Sequence, residues 1–290
     1  MPELPEVETV ARGLRAALPG RRIVSVRLGK MDFIEDPSAL QHHLPGRRIE
    51  GVRRHGKFLL LDFERPDQKA RSFSMLIHLG MTGNVVVCAP EAPIAPHTHV
   101  FLALDDGREV RYTDIRRFGR IRIVSDGSRE AALSQLGVDP LEASEQEFAQ
   151  RLGSRRARIK ALLLDQRVLR GMGNIYTDES LWRARIHPKR LGTSLQHEEL
   201  RRLYRAVRDV LRQAIQLRGS SVSDYLDAEG RRGEFQRLHR VYQREGKRCF
   251  RCGATVRRAI VAGRGTHYCP CCQRAPRVRR RVGHRKRLPR

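Results

Sequence analysis

The sequence predicts an α+β chain, and three observations carry that prediction. Residues up to about 125 read mainly as strands after one N-terminal helix, and residues from about 130 to 217 read as helices. Five of the six cysteines then fall in one window near the C-terminus. The strand spacing favours a β-sandwich. With 290 residues, 40% of them hydrophobic, the chain is long enough for two domains with buried cores.

An amphipathic helix is expected near the N-terminus, ending at Gly20. Its apolar residues recur at helical spacing: Val7, Val10, Ala11, Leu14 and Leu18. The stretch that leads into it, PELPEVETV, holds three carboxylates in residues 3–8. A secretory signal would begin with positive charge and continue as an apolar run, so this opening does not read as one.

Shorter patterns predict the other elements. Runs such as RRIVSVRL and HTHVFLALDDGREVRYTD have strand composition, and the turn at 105–107 (Asp-Asp-Gly) predicts a hairpin. The clearest later helix is QHEELRRLYRAVRDVLRQAIQL, for which Thr193 and Gln196 predict a capping box. The segment 219–234 is rich in Gly, Ser and Asp and predicts a mobile loop.

The charge balance indicates a polyanionic partner. Lys and Arg number 58 against 32 Asp and Glu, a formal net charge of +26 with a pI near 11.2. Nucleic acid is the commonest partner of such a chain and an anionic membrane surface the next. No apolar run approaches the roughly 18 residues of a membrane span, so we expect no transmembrane segment.

The clustered cysteines predict one structural zinc site. Cys249 and Cys252 form one C-x2-C pair, and Cys269 and Cys272 form a second pair sixteen residues later. Four thiolates at this spacing suit a closed tetrahedral zinc site, whereas a set of unmetallated buried thiols is the alternative. Cys271 is then a spare thiol.

Two further segments suggest DNA handling, each with a plainer alternative. In GMGNIYTDESLWRARIHP, a glycine turn precedes a helix that begins at Asn174, and its free amides suit a phosphate; an ordinary helix pair fits equally well. In YTDIRRFGRIRIV, Arg116 and Phe118 face one side of an extended chain and suit a gap in a base stack. A strand with one core aromatic is the simpler interpretation. Met81 in HLGMTG is a similar wedge or a core residue.

These segments together resemble the formamidopyrimidine-DNA glycosylase family, bacterial base-excision enzymes for oxidised purines. The matching segments are PELPEVETV, HGKFLLL, HLGMTG, YTDIRRFG, the block from IKALLLDQ through GMGNIYTDE to IHP, SDYLDAEGRRGEFQ and GRGTHYCPCCQ, in family order. The resemblance implies an N-terminal β-sandwich with flanking helices at 1–130 and a helix–two-turn–helix domain at 131–240, with a lesion-covering loop near 219–234. A four-cysteine zinc finger at 241–273 and a basic disordered tail at 274–290 follow.

The resemblance also accounts for the acidic opening. It implies that Met1 is removed and that the secondary amine of Pro2 attacks C1′ of the damaged nucleotide to form a Schiff base. Glu3 would protonate the sugar ring oxygen, and Glu6 would orient the N-terminus. Lys57 would act in β-elimination and Arg264 in δ-elimination.

DNA contacts are implied in the same way. The implied DNA-binding residues are His97, Arg116, Arg155, Lys160 and Asn174. The residues that would fill the void left by an extruded base are Met81, Arg116 and Phe118. The chain departs from the family pattern at Arg155, where lysine is frequent, at Ile115, where proline is frequent, at the extra Cys271, and in its long basic tail.

Three functions are therefore weighed. The first is a bifunctional glycosylase and lyase for oxidised purines; the second is an endonuclease VIII-like glycosylase for oxidised pyrimidines. The third is a non-catalytic zinc-finger protein that binds lesions. The long SDYLDAEGRRGEFQ loop and the form of the wedge segment favour the first over the second, and the set Pro2, Glu3 and Lys57 argues against the third. We expect a monomer that binds damaged double-stranded DNA and one zinc ion, without a membrane, in the bacterial cytoplasm.

Overall fold

Two four-stranded antiparallel sheets form the N-terminal part of the chain, in a computed structural model that describes residues 1–64, 73–222 and 225–275. Most of the predicted basic tail, and Ser223 and Asp224 of the predicted loop, lie outside the described residues. The first sheet contains β1 (Ile23–Leu28), β5 (Gly83–Cys88), β6 (Thr98–Leu104) and β7 (Glu109–Asp114), in the order β1-β6-β7-β5. The second contains β2 (Ile49–His55), β3 (Phe58–Phe63), β4 (Phe73–His78) and β8 (Arg120–Ser125), in the order β2-β3-β4-β8.

The apolar run FLLLDF in β3 is buried on both faces because each face has a cover. Leu59, Leu61 and Phe63 lie in the main core between the sheets. Leu60 points to the other face, where it packs with Leu76 beneath α3 (Asp126–Leu133). The alternation of side chains along a strand therefore supplies two cores at once. The short helix α2 (Pro37–His43) is capped by the Asp36 side chain.

Helices build the second part of the chain around a separate core. They are α4 (Glu145–Gly153), α5 (Ile159–Leu164), α6 (Asn174–Arg183) and α7 (His197–Gln216). The predicted apolar face of α7 is confirmed, with Leu203, Val207 and Leu211 fully buried. The predicted capping box was wrong by one turn: Gln196 is the N-cap and pairs with Glu199, while Thr193 lies in a 3-10 turn.

The helix α1 (Leu4–Ala17) joins the two parts. Val7, Val10 and Leu14 pack in the sandwich core, as the sequence predicts, whereas Leu4 packs in the helical core. The first residues of the chain consequently lie at the boundary between the two parts. A two-stranded hairpin of β9 (Arg257–Val261) and β10 (Arg264–Tyr268) completes the described fold and contacts α6. Within the described residues, no helix has both the length and the apolar character needed to cross a bilayer.

Candidate active site

The acidic opening folds into the start of α1. Glu3 and Glu6 form a capping box in which the Glu3 backbone N–H donates to Glu6 Oε2 at 2.8 Å. Pro5 suits the first turn because its fixed φ matches the helix and its missing N–H has no helical partner there. Pro2 is buried next to this cap, while Met1 is about half exposed.

The Glu3 carboxylate is held by the N-terminus of α6. Its oxygens accept hydrogen bonds from the backbone N–H groups of Ile175 at 3.0 Å and Tyr176 at 3.4 Å. A Cβ at Gly173 would lie 2.2 Å from Glu3 Cδ, so this approach needs glycine. Burial raises the pKa of Glu3, and the opposing effects of Lys57 and the two amides do not cancel it. The site therefore favours a protonated carboxylic acid at Glu3.

Glu6 connects the chain start to the predicted lesion loop. Its Oε1 accepts hydrogen bonds from the Ser220 backbone N–H at 2.8 Å and from the Tyr176 hydroxyl. A Cβ at Gly219 would lie 2.7 Å from that oxygen. Burial, with repulsion from Glu3, raises the pKa of Glu6 to about 7.

Lys57 and Arg264 approach this acid cluster from different elements. Lys57 lies in the turn between β2 and β3 and is buried, and this burial lowers its pKa against the attraction of Glu3 and Glu6. Arg264 is exposed at the start of β10. The hairpin turn before it uses left-handed conformations at Ala262 (φ 53°) and Gly263 (φ 69°). The Arg264 guanidinium lies close enough to lower the pKa of Lys57 further.

Lys160 lies in the interior of the protein. Its Nζ is fully buried and lies 2.6 Å from Asp178 Oδ1 and 3.2 Å from the Gly265 carbonyl oxygen. The other Asp178 oxygen accepts from the His267 backbone N–H at 2.8 Å. Asn174 Nδ2 donates to the same Gly265 carbonyl at 2.9 Å. Lys160 thus ties α5 and α6 to the hairpin that carries Arg264, a position unlike the DNA surface expected from the sequence.

The three void-filling candidates come together at one exposed point. Arg116 Nη1 lies 3.2 Å from Met81 Sδ, and the Arg116 guanidinium lies 4.4 Å from the centre of the Phe118 ring. Met81 and Phe118 are 39% and 51% exposed, so neither belongs to a core. Asp114 fixes their loops by accepting from Thr82 Oγ1 at 2.5 Å and from the Gly119 N–H at 2.8 Å.

The remaining DNA-binding candidates, His97 and Arg155, lie on loops. His97 precedes β6 with a left-handed backbone (φ 65°), and its carbonyl accepts from the Asp114 N–H at 3.0 Å. Arg155 is exposed between α4 and α5. Both side chains are therefore available to solvent, as a phosphate contact requires.

The four cysteines at the C-terminus fit one structural zinc ion. The Sγ atoms of Cys249, Cys252, Cys269 and Cys272 all lie within 4.8 Å of one another. Trp182 Nε1 donates to Cys249 Sγ at 3.4 Å, a contact that suits a thiolate ligand. Cys271 is exposed and stands outside the cluster. The four cysteines that the spacing predicted as zinc ligands are therefore brought together.

The buried residues of α6 that hold the site through hydrogen bonds were not predicted from the sequence. Tyr176 is fully buried and donates to Glu6, and Asp178 and Glu179 are buried on the same helix. Glu179 accepts from the backbone N–H groups of Arg240, Val241 and Tyr242. The sequence TDE, at residues 177–179, could have revealed them. Two adjacent acids in a segment predicted to hold phosphate have to be buried against hydrogen-bond donors.

Comparison with known proteins agrees with this geometry. Residues 1–121 match the formamidopyrimidine-DNA glycosylase N-terminal domain, residues 136–225 match the H2TH domain of that enzyme, and residues 246–275 match the zinc finger found in FPG and IleRS. The formamidopyrimidine-DNA glycosylase of Pelotomaculum thermopropionicum is 44% identical over 94% of this chain and 99% of its own length. That of Heliobacterium modesticaldum is 46% identical over 94% and 100%.

Solved structures agree as well. A Lactococcus lactis FPG variant in complex with Fapy-dG-containing DNA superposes with a TM-score of 0.86 at 34% identity, covering 94% of this chain and 100% of the other. MutM in complex with carbocyclic 8-oxo-G-containing DNA gives a TM-score of 0.85 at 33% identity, with the same coverage. The chain therefore belongs to the formamidopyrimidine-DNA glycosylase family and is a DNA glycosylase of base-excision repair.

Proposed function

We propose that the enzyme is bifunctional: it excises oxidised purines such as 8-oxoguanine and formamidopyrimidines through Pro2, and then cleaves the strand. The observation that carries this proposal is the juxtaposition at the chain start. Pro2 adjoins a buried Glu3 whose pKa is raised, with Lys57 and Arg264 close by. This set combines a nucleophile, an acid and two cations, which is what Schiff-base chemistry on a polyanion requires.

The nucleophile is the secondary amine that removal of Met1 would free on Pro2. An α-amine has an ordinary pKa of about 7.7–8.0, so a useful fraction is neutral near pH 7. The Pro2 nitrogen attacks C1′, the N-glycosidic bond breaks, and the base leaves with a proton. Protonation of the sugar ring oxygen opens the ring and leaves an iminium between enzyme and DNA.

Glu3 is the group that supplies the ring-oxygen proton. Burial keeps this carboxyl protonated at a pH where an exposed glutamate would be ionised, because it raises the pKa of Glu3. Glu6 orients the N-terminus through its hydrogen bond with the Glu3 N–H. The same Glu6 carboxyl binds Ser220, at the start of the loop that we propose covers the extruded base.

Strand cleavage follows from the iminium. A proton leaves C2′ and the bond to the 3′ phosphate breaks, which is β-elimination; a second elimination then releases the 5′ phosphate. Lys57 interacts with both Glu3 and Glu6, and Arg264 lies near Lys57, so we assign Lys57 to the first elimination and Arg264 to the second. Met81, Arg116 and Phe118 fill the gap in the duplex, while His97, Arg155 and Asn174 hold its backbone.

The zinc ion has a structural role in this proposal. Bound by the four cysteines, it supplies a fixed shape to the hairpin rather than a reaction step. Lys160 acts with it by tying the Gly265 carbonyl to α6, and so holds Arg264 rather than contacting DNA. We further propose that the enzyme works as a monomer in the cytoplasm.

The test is borohydride trapping on a duplex with 8-oxoguanine opposite cytosine. A Pro2→Gly variant is run alongside, and a thymine-glycol duplex serves as the comparison substrate. We expect a covalent adduct on the oxidised purine that is diminished in Pro2→Gly. An adduct on the pyrimidine lesion alone would overturn the substrate assignment. Folded, zinc-loaded protein that binds both duplexes without any adduct would overturn the reaction.

A further inference from the structure

The segment from Cys249 to Cys252, which supplies the first pair of zinc ligands, and the C-terminal end of α6 border a pocket that the proposed reaction does not use. The cavity has a volume of about 470 Å³ and is walled by Trp182, Phe235 and Phe250, among others. Its size falls in the range of protein cavities that bind small ligands or side chains. Phe250 is 59% exposed although it is a large apolar residue between two metal ligands. An exposed aromatic beside an apolar cavity marks a contact surface.

Three guanidinium groups stack on the aromatic rings of the pocket: Arg240 and Arg251 line the pocket themselves, and Arg244 lies beside it against Phe250. Those of Arg240 and Arg244 lie 4.9 and 4.0 Å from the centre of the Phe250 ring, and that of Arg251 lies 4.1 Å from the centre of the Trp182 ring. Across the described ranges, no carboxylate lies within 4.0 Å of these guanidiniums. Arg244 Nε is buried without a hydrogen-bond partner. The pocket is thus apolar inside and positively charged at its rim.

Glu179 is an acidic residue that lines the pocket, but its carboxylate already accepts hydrogen bonds from the protein backbone. The Glu179 carboxylate is buried and accepts hydrogen bonds from the backbone N–H groups of Arg240, Val241 and Tyr242. Asp209 nearby pairs with Arg183 at 3.4 Å. Of the arginines that line the pocket, Arg183 therefore has a carboxylate partner, whereas Arg240 and Arg251 can accept an anion from elsewhere.

The pocket is separate from the acid cluster. Glu3 is bound at the N-terminus of α6, whereas Trp182 and Arg183 lie at its C-terminal end. A helix of ten residues spans about 15 Å. The pocket is therefore a different surface from the acid cluster, and the inference does not depend on the proposed chemistry.

We propose that this pocket docks an acidic peptide segment of a partner protein that carries at least one large apolar side chain. The Arg240 guanidinium stacks on Phe250 and can pair with a carboxylate through its N–H edge in bidentate fashion. Arg244 and Arg251 add positive charge, although they already donate to the backbone carbonyls of Arg248, Trp182 and Arg183. The same stacking covers ring faces that a nucleic-acid base would need for its own stacking. A DNA backbone offers anions but no apolar side chain for the cavity, whereas an acidic apolar peptide supplies both.

The test is fluorescence anisotropy with the full zinc-loaded chain and a labelled peptide of alternating aspartate and leucine. Three comparison probes are a peptide with asparagine for aspartate, a peptide with glycine for leucine, and a labelled single-stranded oligonucleotide. Phe250→Ala and Arg240→Gln are the test variants. Arg27→Ala is the matched control, because its exposed guanidinium stacks on Phe101 at 3.5 Å in the sandwich domain.

We expect the acidic apolar peptide to bind more tightly than both altered peptides, and each test variant to weaken it by about tenfold, as for a central interface residue. Arg27→Ala should leave binding unchanged, and all three variants should retain zinc and base excision. Equal binding of all peptides, or equal weakening by Arg27→Ala, would overturn the proposal. So would oligonucleotide binding that the two test variants abolish, since the surface would then be a nucleic-acid site.

Discussion

Two carboxylates of the same helix, Glu6 and Glu8, lie in opposite electrostatic environments. Glu6 faces Tyr176 and Ser220 at the boundary between the two parts of the chain, which we call the cleft side of α1; both are neutral donors, and burial raises the pKa of Glu6 to about 7. Glu8 faces away from the cleft, where its hydrogen bonds and ion pairs with Arg15 and Arg54 outweigh partial burial and lower its pKa. Glu6 and Glu8 are only two residues apart, yet the site favours the protonated form of Glu6 and the ionised form of Glu8. The partner that each face meets, rather than the residue type, decides the charge state.

The arginine-bound side of α1 also locks the two parts of the chain together. Arg54 Nε lies 2.8 Å from Glu8 Oε2, and Arg54 Nη1 lies 2.6 Å from Asp139 Oδ2. Asp139 belongs to the segment that leads into the helical part and caps the Leu141 N–H. The cleft side of α1 thus supports chemistry, and the opposite side supports the geometry in which that chemistry occurs.

The largest effect should come from the cleft side. Glu3→Gln keeps the size of the side chain but removes its acid proton, so single-turnover excision of 8-oxoguanine should fall by about 10²–10⁴-fold. Thermal unfolding should change less, because the amide oxygen can still accept the 3.0 Å hydrogen bond from Ile175, and only the longer 3.4 Å bond from Tyr176 to the second oxygen is lost. Rapid-quench kinetics on a damaged duplex measures the rate. Excision within a few-fold of the unaltered enzyme would show that Glu3 is not the acid.

The next effect should come from the arginine-bound side and affect stability. Arg54→Met removes one partner from a buried ion network and should lower the free energy of unfolding by about 3–5 kcal/mol. Arg53→Met is the control, since Arg53 is 55% exposed on the same strand and pairs with Asp62 at 2.5 Å. Urea denaturation compares the two. Equal losses would mean that the buried bridge to Asp139 has no special role.

A third effect is the pH dependence of stability that follows from the raised pKa of Glu6. Folded protein holds the Glu6 proton up to about pH 7, whereas the unfolded chain releases it near 4.5. The folded state binds more protons in this window, so the free energy of unfolding decreases as pH rises through it, by an amount on the order of 3 kcal/mol. Glu6→Gln should flatten that decrease in urea titrations at a series of pH values. Parallel curves for the two proteins would contradict the shifted pKa.

The sequence predicted the features that depend on neighbouring residues better than those that depend on residues far apart in the chain. The β-sandwich, α1 and the cysteine cluster follow from local spacing, because strand alternation, helical periodicity and C-x2-C pairs are each written in a few adjacent residues. The capping box of α7 was misplaced since Gln196 is an unusual N-cap, and the pattern with Thr193 matched the same spacing.

Long-range partners were the part that local patterns could not supply. The family resemblance implied a DNA contact for Lys160, yet its side chain pairs in the interior with Asp178, eighteen residues later. The bridge from Arg54 to Asp139 spans 85 residues. Neither pair produces a periodic pattern in the sequence. The folded structure is therefore needed to show which charged side chains form internal ion pairs and which remain available to DNA.

The smallest effect should come from the exposed arginine on the same Glu8 carboxylate. Arg12 Nε lies 3.0 Å from Glu8 Oε1, almost as close as Arg54, but its side chain is 60% exposed against 7% for Arg54. Water and salt screen the exposed pair, so Arg12→Met should cost no more than about 0.5 kcal/mol, and added salt should remove even that. Urea denaturation at low and high salt measures both values. A loss as large as that of Arg54→Met would mean that distance alone sets the strength of these pairs. A small, salt-sensitive loss would mean that burial of the pair, rather than the distance between its atoms, sets the strength of these ion pairs.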